Sequence, residues 1–187
     1  MNYETYRLHR MATLATGNRI LDVGCAFKPN RFLKGQEVVG LDLDQMAVAS
    51  PYTKHVVGNV FDLDKHLPNQ QFDTILLGEF IEHVETPYAL LRQFRGMIAP
   101  QGRLVLSTPN PLGIPAIVAE YLLLRKWFYT REHLYYIPPR WVWRMLETTG
   151  YKVLRTVSVG ANLMGLRIPC PVSLSYQVIY VAQPQAS

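Results

Sequence analysis

The run Gly78-Glu79-Phe80-Ile81-Glu82-His83 places two carboxylates and an imidazole at spacings of three and four residues. If the chain turns helical just after Gly78, that spacing puts all three groups on one face. It is also a spacing that can hold a metal ion. Carboxylates and imidazoles together suit magnesium, manganese, iron or zinc without choosing among them. The plainer alternative is that Glu79 borders a ligand, Glu82 caps or pairs locally, and His83 and His133 hydrogen-bond within a site wall. Histidine titrates near neutral pH, so either imidazole could take the proton from a reacting hydroxyl.

A second constellation begins at ILDVGCAFKPN, Ile20 to Asn30, which reads as a strand running into a glycine loop at Gly24-Cys25-Ala26. Asp42 lies twenty positions after Asp22, at the end of the next strand candidate. An acid there is suited to accept hydrogen bonds from both hydroxyls of a ribose, which implies an adenosine-containing ligand. Asn59-Val60-Phe61-Asp62 follows a short apolar run, and Gly78-Glu79 follows another. A nicotinamide-dependent dehydrogenase would need Gly-x-Gly-x-x-Gly opening a full helix, and Gly24 to Pro29 does not supply it.

These residues need strands to hold them. RILDV (Arg19 to Val23), EVVGLDL (Glu37 to Leu43), Thr74 to Leu77 and RLVLS (Arg103 to Ser107) are short, β-branched-rich runs of the kind found in buried parallel strands. Lys152 to Val159 and Ser173 to Val181 are two more strand candidates. Thr86-Pro87 looks like an N-cap with proline at the first helical position, followed by apolar Leu90, Leu91, Phe94, Met97 and Ile98 at helical spacing. Pro138-Pro139 opens a second helix, with Gly150 suited to end it. Strands alternating with helices indicate a doubly wound α/β sheet, whose ligands bind at the carboxyl ends of the strands near the reversal in strand order.

Composition narrows the partners. The 187 residues suffice for one domain with a substantial core. The net charge of +5 is modest, and Arg125-Lys126 is the only adjacent basic pair, so no nucleic-acid stripe stands out. Cys25 and Cys170 are too few for a disulfide framework, which fits free thiols in a reducing cytosol. The amphipathic, charged N-terminus does not read as a secretory signal, and no apolar stretch reaches the ~18 residues of a membrane span. The expectation is a cytoplasmic protein, with any membrane contact peripheral. Oligomeric state is left open.

Several ordered motifs then carry a family resemblance. ILDVGC resembles the first motif of class I S-adenosylmethionine-dependent methyltransferases, VVGLDLD their ribose-binding second strand, and GNVFDL their adenine loop. FDTILLGEFIEHVETP, APQGRLVLSTPNP and EHLYYIPPRWVWRMLETTGYKV are similar to the branch that includes ubiquinone-biosynthesis O-methyltransferases. The resemblance implies a single domain over 1–187 with a Rossmann-like, doubly wound, mostly parallel seven-stranded sheet, and S-adenosyl-L-methionine as cofactor. It places Asp22, Gly24 and the backbone of Cys25 and Ala26 around the methionine part and Asp42 on the ribose. Leu43, Asn59, Val60 and Asp62 would surround the adenine, with Gly78 and Glu79 at the sulfonium end. Relatives of this stretch use Glu-x-x-Glu-His and a later histidine for a divalent cation, and His133 stands where that histidine would be. The expected site is metal-free with His83 or His133 as the base; Glu79, Glu82, His83 and His133 as a metal set is the alternative.

The resemblance also has departures. Ala26 replaces a glycine with one extra methyl, and Lys28-Pro29-Asn30 disfavours a helix where the family has a long one, so a helix of a turn or two is expected there. Leu112 to Tyr136 reads as a lid or acceptor-pocket insertion, because apolar residues surround Pro115 to Phe128 with only Glu120, Arg125 and Lys126 breaking them. A buried core helix or a subunit contact is the plainer reading of that segment. The function expected is methyl transfer to a small-molecule acceptor, preferably to the oxygen of an apolar or lipid-linked one. The rival is a non-catalytic cofactor-binding or scaffold protein with a degenerate loop.

Overall fold

A computed structural model describes residues 2–35, 37–122, 133–163 and 166–185. The described strands are β1 (Arg19–Val23), β2 (Glu37–Asp42), β3 (Lys54–Val57), β4 (Phe72–Gly78), β5 (Ile98–Pro109), β6 (Tyr151–Leu163), β7 (Leu166–Ile168) and β8 (Gln177–Pro184), of which β3 and β7 are not among the strand candidates. They form one sheet in the order β3-β2-β1-β4-β5-β8-β6-β7. Strands β1 to β5 pair in parallel, while β8 runs antiparallel to both β5 and β6. The sheet therefore has eight strands rather than seven, because the chain after β6 turns back and pairs Ala161 to Leu163 with Leu166 to Ile168. Residues 173–176, expected as strand, are a 3₁₀ turn at Val172–Leu174 followed by coil.

The chain builds β1, β2 and β3 toward one edge, then returns to place β4 on the other side of β1. That reversal puts the ends of β1 and β4 at the switch point of the sheet. The strands alternate strictly in what they bury. Leu21, Val23, Val39, Leu41, Ile75, Leu77, Leu104 and Leu106 face one core, and Ile20, Val38, Leu76 and Val105 face the other.

The first face is covered by helices: α2 (Leu63–His66), α3 (Pro87–Met97) and, beyond α4 (Ile114–Tyr121), α5 (Pro139–Thr148). Leu90, Leu91, Phe94 and Met97 of α3 and Val142, Met145 and Leu146 of α5 are buried against it. Thr86 precedes α3 without a side-chain capping bond, so Pro87 alone marks the helix start. Gly150 ends α5 with φ +87°, the left-handed conformation for which glycine is suited.

The second face is covered differently. Right-handed crossovers from β1 to β2 and from β2 to β3 would lay their helices on this side. Among the described residues neither connection contains a helix, so even the short one expected after Gly24 is missing. One N-terminal helix, α1 (Tyr3–Leu14), packs there through Tyr3, Met11 and Leu14. The loops fill the rest by dropping single side chains, Leu33, Met46 and Tyr52, into the apolar cluster.

Candidate active site

At the carboxyl ends of β1, β2 and β4 two cavities of about 570 and 860 Å³ adjoin, sharing Val23, Asp42, Leu43, Phe80 and His83 in their walls. Asp42 sits at the junction. Its Oδ2 accepts from the Ala26 N–H at 2.8 Å and its Oδ1 from the Asp44 N–H at 3.1 Å. This carboxylate ties the loop after β1 to the loop after β2. Each oxygen has a second acceptor site for a hydroxyl of a ligand.

The smaller cavity is lined by Leu43, Gly58, Asn59, Val60 and Phe61 and is largely apolar. Asn59 caps the turn by accepting from the Phe61 N–H at 3.0 Å. Asp62, expected at this slot, is not in its wall. Its carboxylate turns to Lys65 at 2.6 Å, and that ammonium holds its pKa below the usual range.

The larger cavity takes Asp22, Gly24, Gly78, Glu79 and His133 as expected, and adds Arg7 of α1, Phe80 and Gln177. Gly24 has φ +73°, and a Cβ there would stand 2.5 Å from the Phe80 ring. Cys25 and Ala26 contribute no side chain to the wall. The Cys25 thiol is buried against the Met46 sulfur at 3.8 Å, and the Ala26 N–H is spent on Asp42.

The acidic and imidazole groups separate into two clusters. Glu79 does not start a helix; its φ of +54° turns it away from the 3₁₀ turn Ile81–His83. Its carboxylate accepts from the Ser107 hydroxyl at 3.0 Å and from the Gln177 amide, beside the Arg7 guanidinium. Burial nevertheless raises its pKa, with Arg7 acting against the shift. Glu79 therefore leaves the four-residue set.

Glu82, His83 and His133 stay together, with one donor atom from each within 4.8 Å of the others. The His83 and His133 rings lie 4.7 Å apart, centroid to centroid. They meet because the Leu134 and Tyr135 N–H groups both donate to the Glu82 carbonyl, at 2.9 and 3.2 Å. Glu82 is fully buried and neither carboxylate oxygen makes a hydrogen bond of good geometry; the Thr108 hydroxyl nearby only weakly favours its charge. Burial, and then the charge of Glu79, push its pKa up to about 9. A buried carboxylate left without a donor, flanked by two imidazoles, fits a divalent cation.

Of the apolar segment, α4 lies within the described residues and residues 123–132, including Leu123, Trp127 and Tyr129, lie outside them. Ile117 and Val118 of α4 are 51% and 47% exposed, so this part is not a core helix. No helix of the described residues is long and apolar enough to cross a membrane.

Sequence reasoning missed Arg7, Phe80 and Tyr52. Arg7 reads as an ordinary polar position of an amphipathic helix, and only the packing of α1 across the switch point brings it to the cleft. The aromatic ring two residues beyond Gly78 was a signal that could have found Phe80.

An apolar slot, an acid and a polar chamber meet at the switch point of a doubly wound sheet, where folds of this class bind their ligands. A family profile described as a methyltransferase domain matches residues 5–156, and the chain belongs to that family. The ubiquinone biosynthesis O-methyltransferase of Aeromonas salmonicida (strain A449) is 29% identical over 155 residues, 73% of this chain and 64% of that protein. The chain spans between half and two-thirds of the length of the curated relatives it matches. An S-adenosylmethionine-dependent methyltransferase from Mesorhizobium loti superposes with a TM-score of 0.66 at 19% identity, covering 94% of each chain. The 1,6-didemethyltoxoflavin-N1-methyltransferase of Burkholderia thailandensis, solved with 1,6-didemethyltoxoflavin and S-adenosylhomocysteine, gives 0.68 at 14% identity, covering 96% of this chain and 79% of that one. S-adenosylmethionine is the cofactor that this family and fold imply.

Proposed function

We propose that the chain transfers a methyl group from S-adenosylmethionine to the oxygen of a small acceptor that is apolar or carried on a lipid. The observation that carries this reading is the junction of the two cavities, where Asp42 and His83 share the wall, with His133 in the wall of the larger cavity and Glu82 beside both rings. Leu43, Asn59 and Val60 would enclose the adenine, Asp42 the ribose, and Asp22, Gly24 and Arg7 the amino-acid end. The sulfonium would then point past Gly78 toward the histidines. Methyl transfer to oxygen is an in-line displacement, and its main demand is that nucleophile and methyl be held in contact, worth about 7–11 kcal/mol in well-oriented systems.

The acceptor hydroxyl must also lose a proton. His83 or His133 can take it, since both rings line the larger cavity. A second reading is favoured by the donorless carboxylate of Glu82: Glu82, His83 and His133 would hold a divalent cation, which supplies Lewis-acid lowering of the hydroxyl pKa. Chelator treatment separates the two. Loss of turnover restored by a divalent cation supports the cation, and unchanged turnover supports the histidine base.

The apolar character of the acceptor is supported by the exposed Leu112, Ile114, Ile117, Val118 and Leu122 around α4. A surface of this kind suits an apolar molecule or the face of a membrane that carries it, which would place the working enzyme at a membrane surface. The names of the relatives point the same way. Calorimetry with S-adenosylmethionine and S-adenosylhomocysteine tests the whole reading: micromolar or tighter binding of the product is expected, and no binding of either would leave the scaffold alternative.

A further inference from the structure

The loop between β1 and β2 has no helix to orient it, yet Asp22 at its root is buried at the wall of the larger cavity. A carboxylate in that position needs a fixed partner. It finds one in Tyr52, which comes from the other helix-free connection, between β2 and β3, and is 6% exposed. The Tyr52 hydroxyl donates to Asp22 Oδ2 and accepts from the Asn30 N–H at 2.7 Å. Asn30 in turn donates its side-chain amide to the Leu8 carbonyl of α1 at 2.9 Å. One phenol thus joins β1, both loops and α1 at the amino-acid end of the cleft.

We propose that Tyr52 is a positioning residue of methyl transfer: its hydroxyl fixes the Asp22 carboxylate at the cavity wall to receive the α-ammonium of the cofactor's amino-acid end. The inference rests on the cleft binding S-adenosylmethionine, and it can fail while that reading stands.

Burial pushes the Asp22 pKa up to about 6, and the Tyr52 hydrogen bond is the largest influence holding it from going higher. Arg7 from α1 and the Asn30 N–H act in the same direction as Tyr52, while Asp42 from the end of β2 acts against them. Cys25 adjoins from the same loop, and Lys28 and Glu79 line the same cavity. At about 6 the pKa is raised yet still below neutrality, so Asp22 is ionised at neutral pH and takes up a proton as pH falls through about 6. Without the tyrosine hydroxyl its pKa rises, and the carboxylate reaches neutral pH partly protonated, where it no longer attracts an ammonium.

The test is calorimetry on the whole chain from pH 5 to 8 with two probes. S-adenosylhomocysteine carries the ammonium; 5′-methylthioadenosine lacks the amino-acid end. The wild-type protein should hold S-adenosylhomocysteine evenly above pH 7 and lose it on acidification through about 6, with 5′-methylthioadenosine following neither change. Tyr52→Phe keeps the ring and should weaken S-adenosylhomocysteine about tenfold at pH 7, the scale of one charge-assisted hydrogen bond. The acid loss should move to higher pH, and 5′-methylthioadenosine should change less than about twofold, well below that scale. Asp22→Asn should reproduce the loss without its pH dependence, and adding Tyr52→Phe to it should cost nothing further. Equal weakening of both probes by Tyr52→Phe, or an acid loss that survives in Asp22→Asn, overturns the assignment. A wild-type protein that binds neither probe overturns the cofactor reading itself.

Discussion

The two faces of the sheet are closed by different means. On one, α3 and α5 lay continuous apolar stripes over β4, β5 and β8. On the other, α1 and two helix-free loops close the same sheet with isolated plugs, and the polar groups of the cleft, Asp22, Arg7 and Ser107, are buried among them. A helix stripe contributes stability by area, whereas a plugged loop is free to take the shape that a ligand requires. The acidic and basic groups of the cleft thus lie on the second face, while the apolar slot beside them is walled by Val23, Leu41, Val60 and Val84 of the first.

The sharpest way to break this comparison is to remove one large plug from the helix face. Phe94→Ala leaves a cavity in a fully buried site and should cost about 3–5 kcal/mol, lowering Tm by roughly 10 °C. The ratio of S-adenosylhomocysteine to 5′-methylthioadenosine affinity should not move. On the cleft side the effects should invert. Asp42→Ala removes an acceptor of two backbone N–H groups as well as the proposed ribose contacts, each charge-assisted bond being worth about 1.5–3 kcal/mol. S-adenosylhomocysteine should bind at least about tenfold more weakly, and a Tm loss as large as that of Phe94→Ala would show that the second face is not the less stable one.

Glu82 gives a smaller effect with a defined pH sign. Its folded pKa of about 9 lies above the ordinary 4.5, so the folded state holds a proton that the unfolded chain has released. The stability it contributes is present below about pH 4.5 and is lost as pH rises toward 9. In metal-free protein Glu82→Gln should therefore raise Tm by roughly 5 °C at pH 8 and leave it unchanged at pH 4, which differential scanning calorimetry can follow. The smallest thermal effect is expected on α4. Ile117→Ser with Val118→Ser changes exposed side chains and should shift stability by no more than about 0.5 kcal/mol each. Sedimentation with vesicles of anionic phospholipid, or titration with an apolar acceptor, should nevertheless show weaker association.

Much of the first face was legible because its signals are local. Apolar residues at helical spacing identified α3, and β-branched runs identified β1, β2 and β4 to within a residue or two, whereas β5 begins at Ile98, five residues before the expected Arg103 and at a residue expected to end the helix. Gly24 and Asp42 were legible for the same reason, since each sits at the end of a strand that announces itself. What was lost depends on contacts distant in sequence. Glu79 turns toward Arg7, Ser107 and Gln177, partners on three other elements, and spacing alone cannot tell a 3₁₀ turn from a helix. Asp62 pairs with Lys65 three residues on, a local ion pair that the loop motif does not reveal. Lys28-Pro29-Asn30 correctly signalled a weakened helix, but its complete absence depends on Tyr52 and Leu33 being able to close the face without it.

The paired donation of the Leu134 and Tyr135 N–H groups to one carbonyl has a mechanical consequence. That carbonyl belongs to Glu82, and a third tie runs from the Tyr135 hydroxyl to the Glu85 carbonyl at 3.0 Å. The strand of chain leading into α5 is therefore riveted to the turn that carries the buried acid and His83. The spacing between the acid and both rings is thus set by backbone hydrogen bonds as much as by the side chains themselves, and a change at Leu134 or Tyr135 would be felt at Glu82.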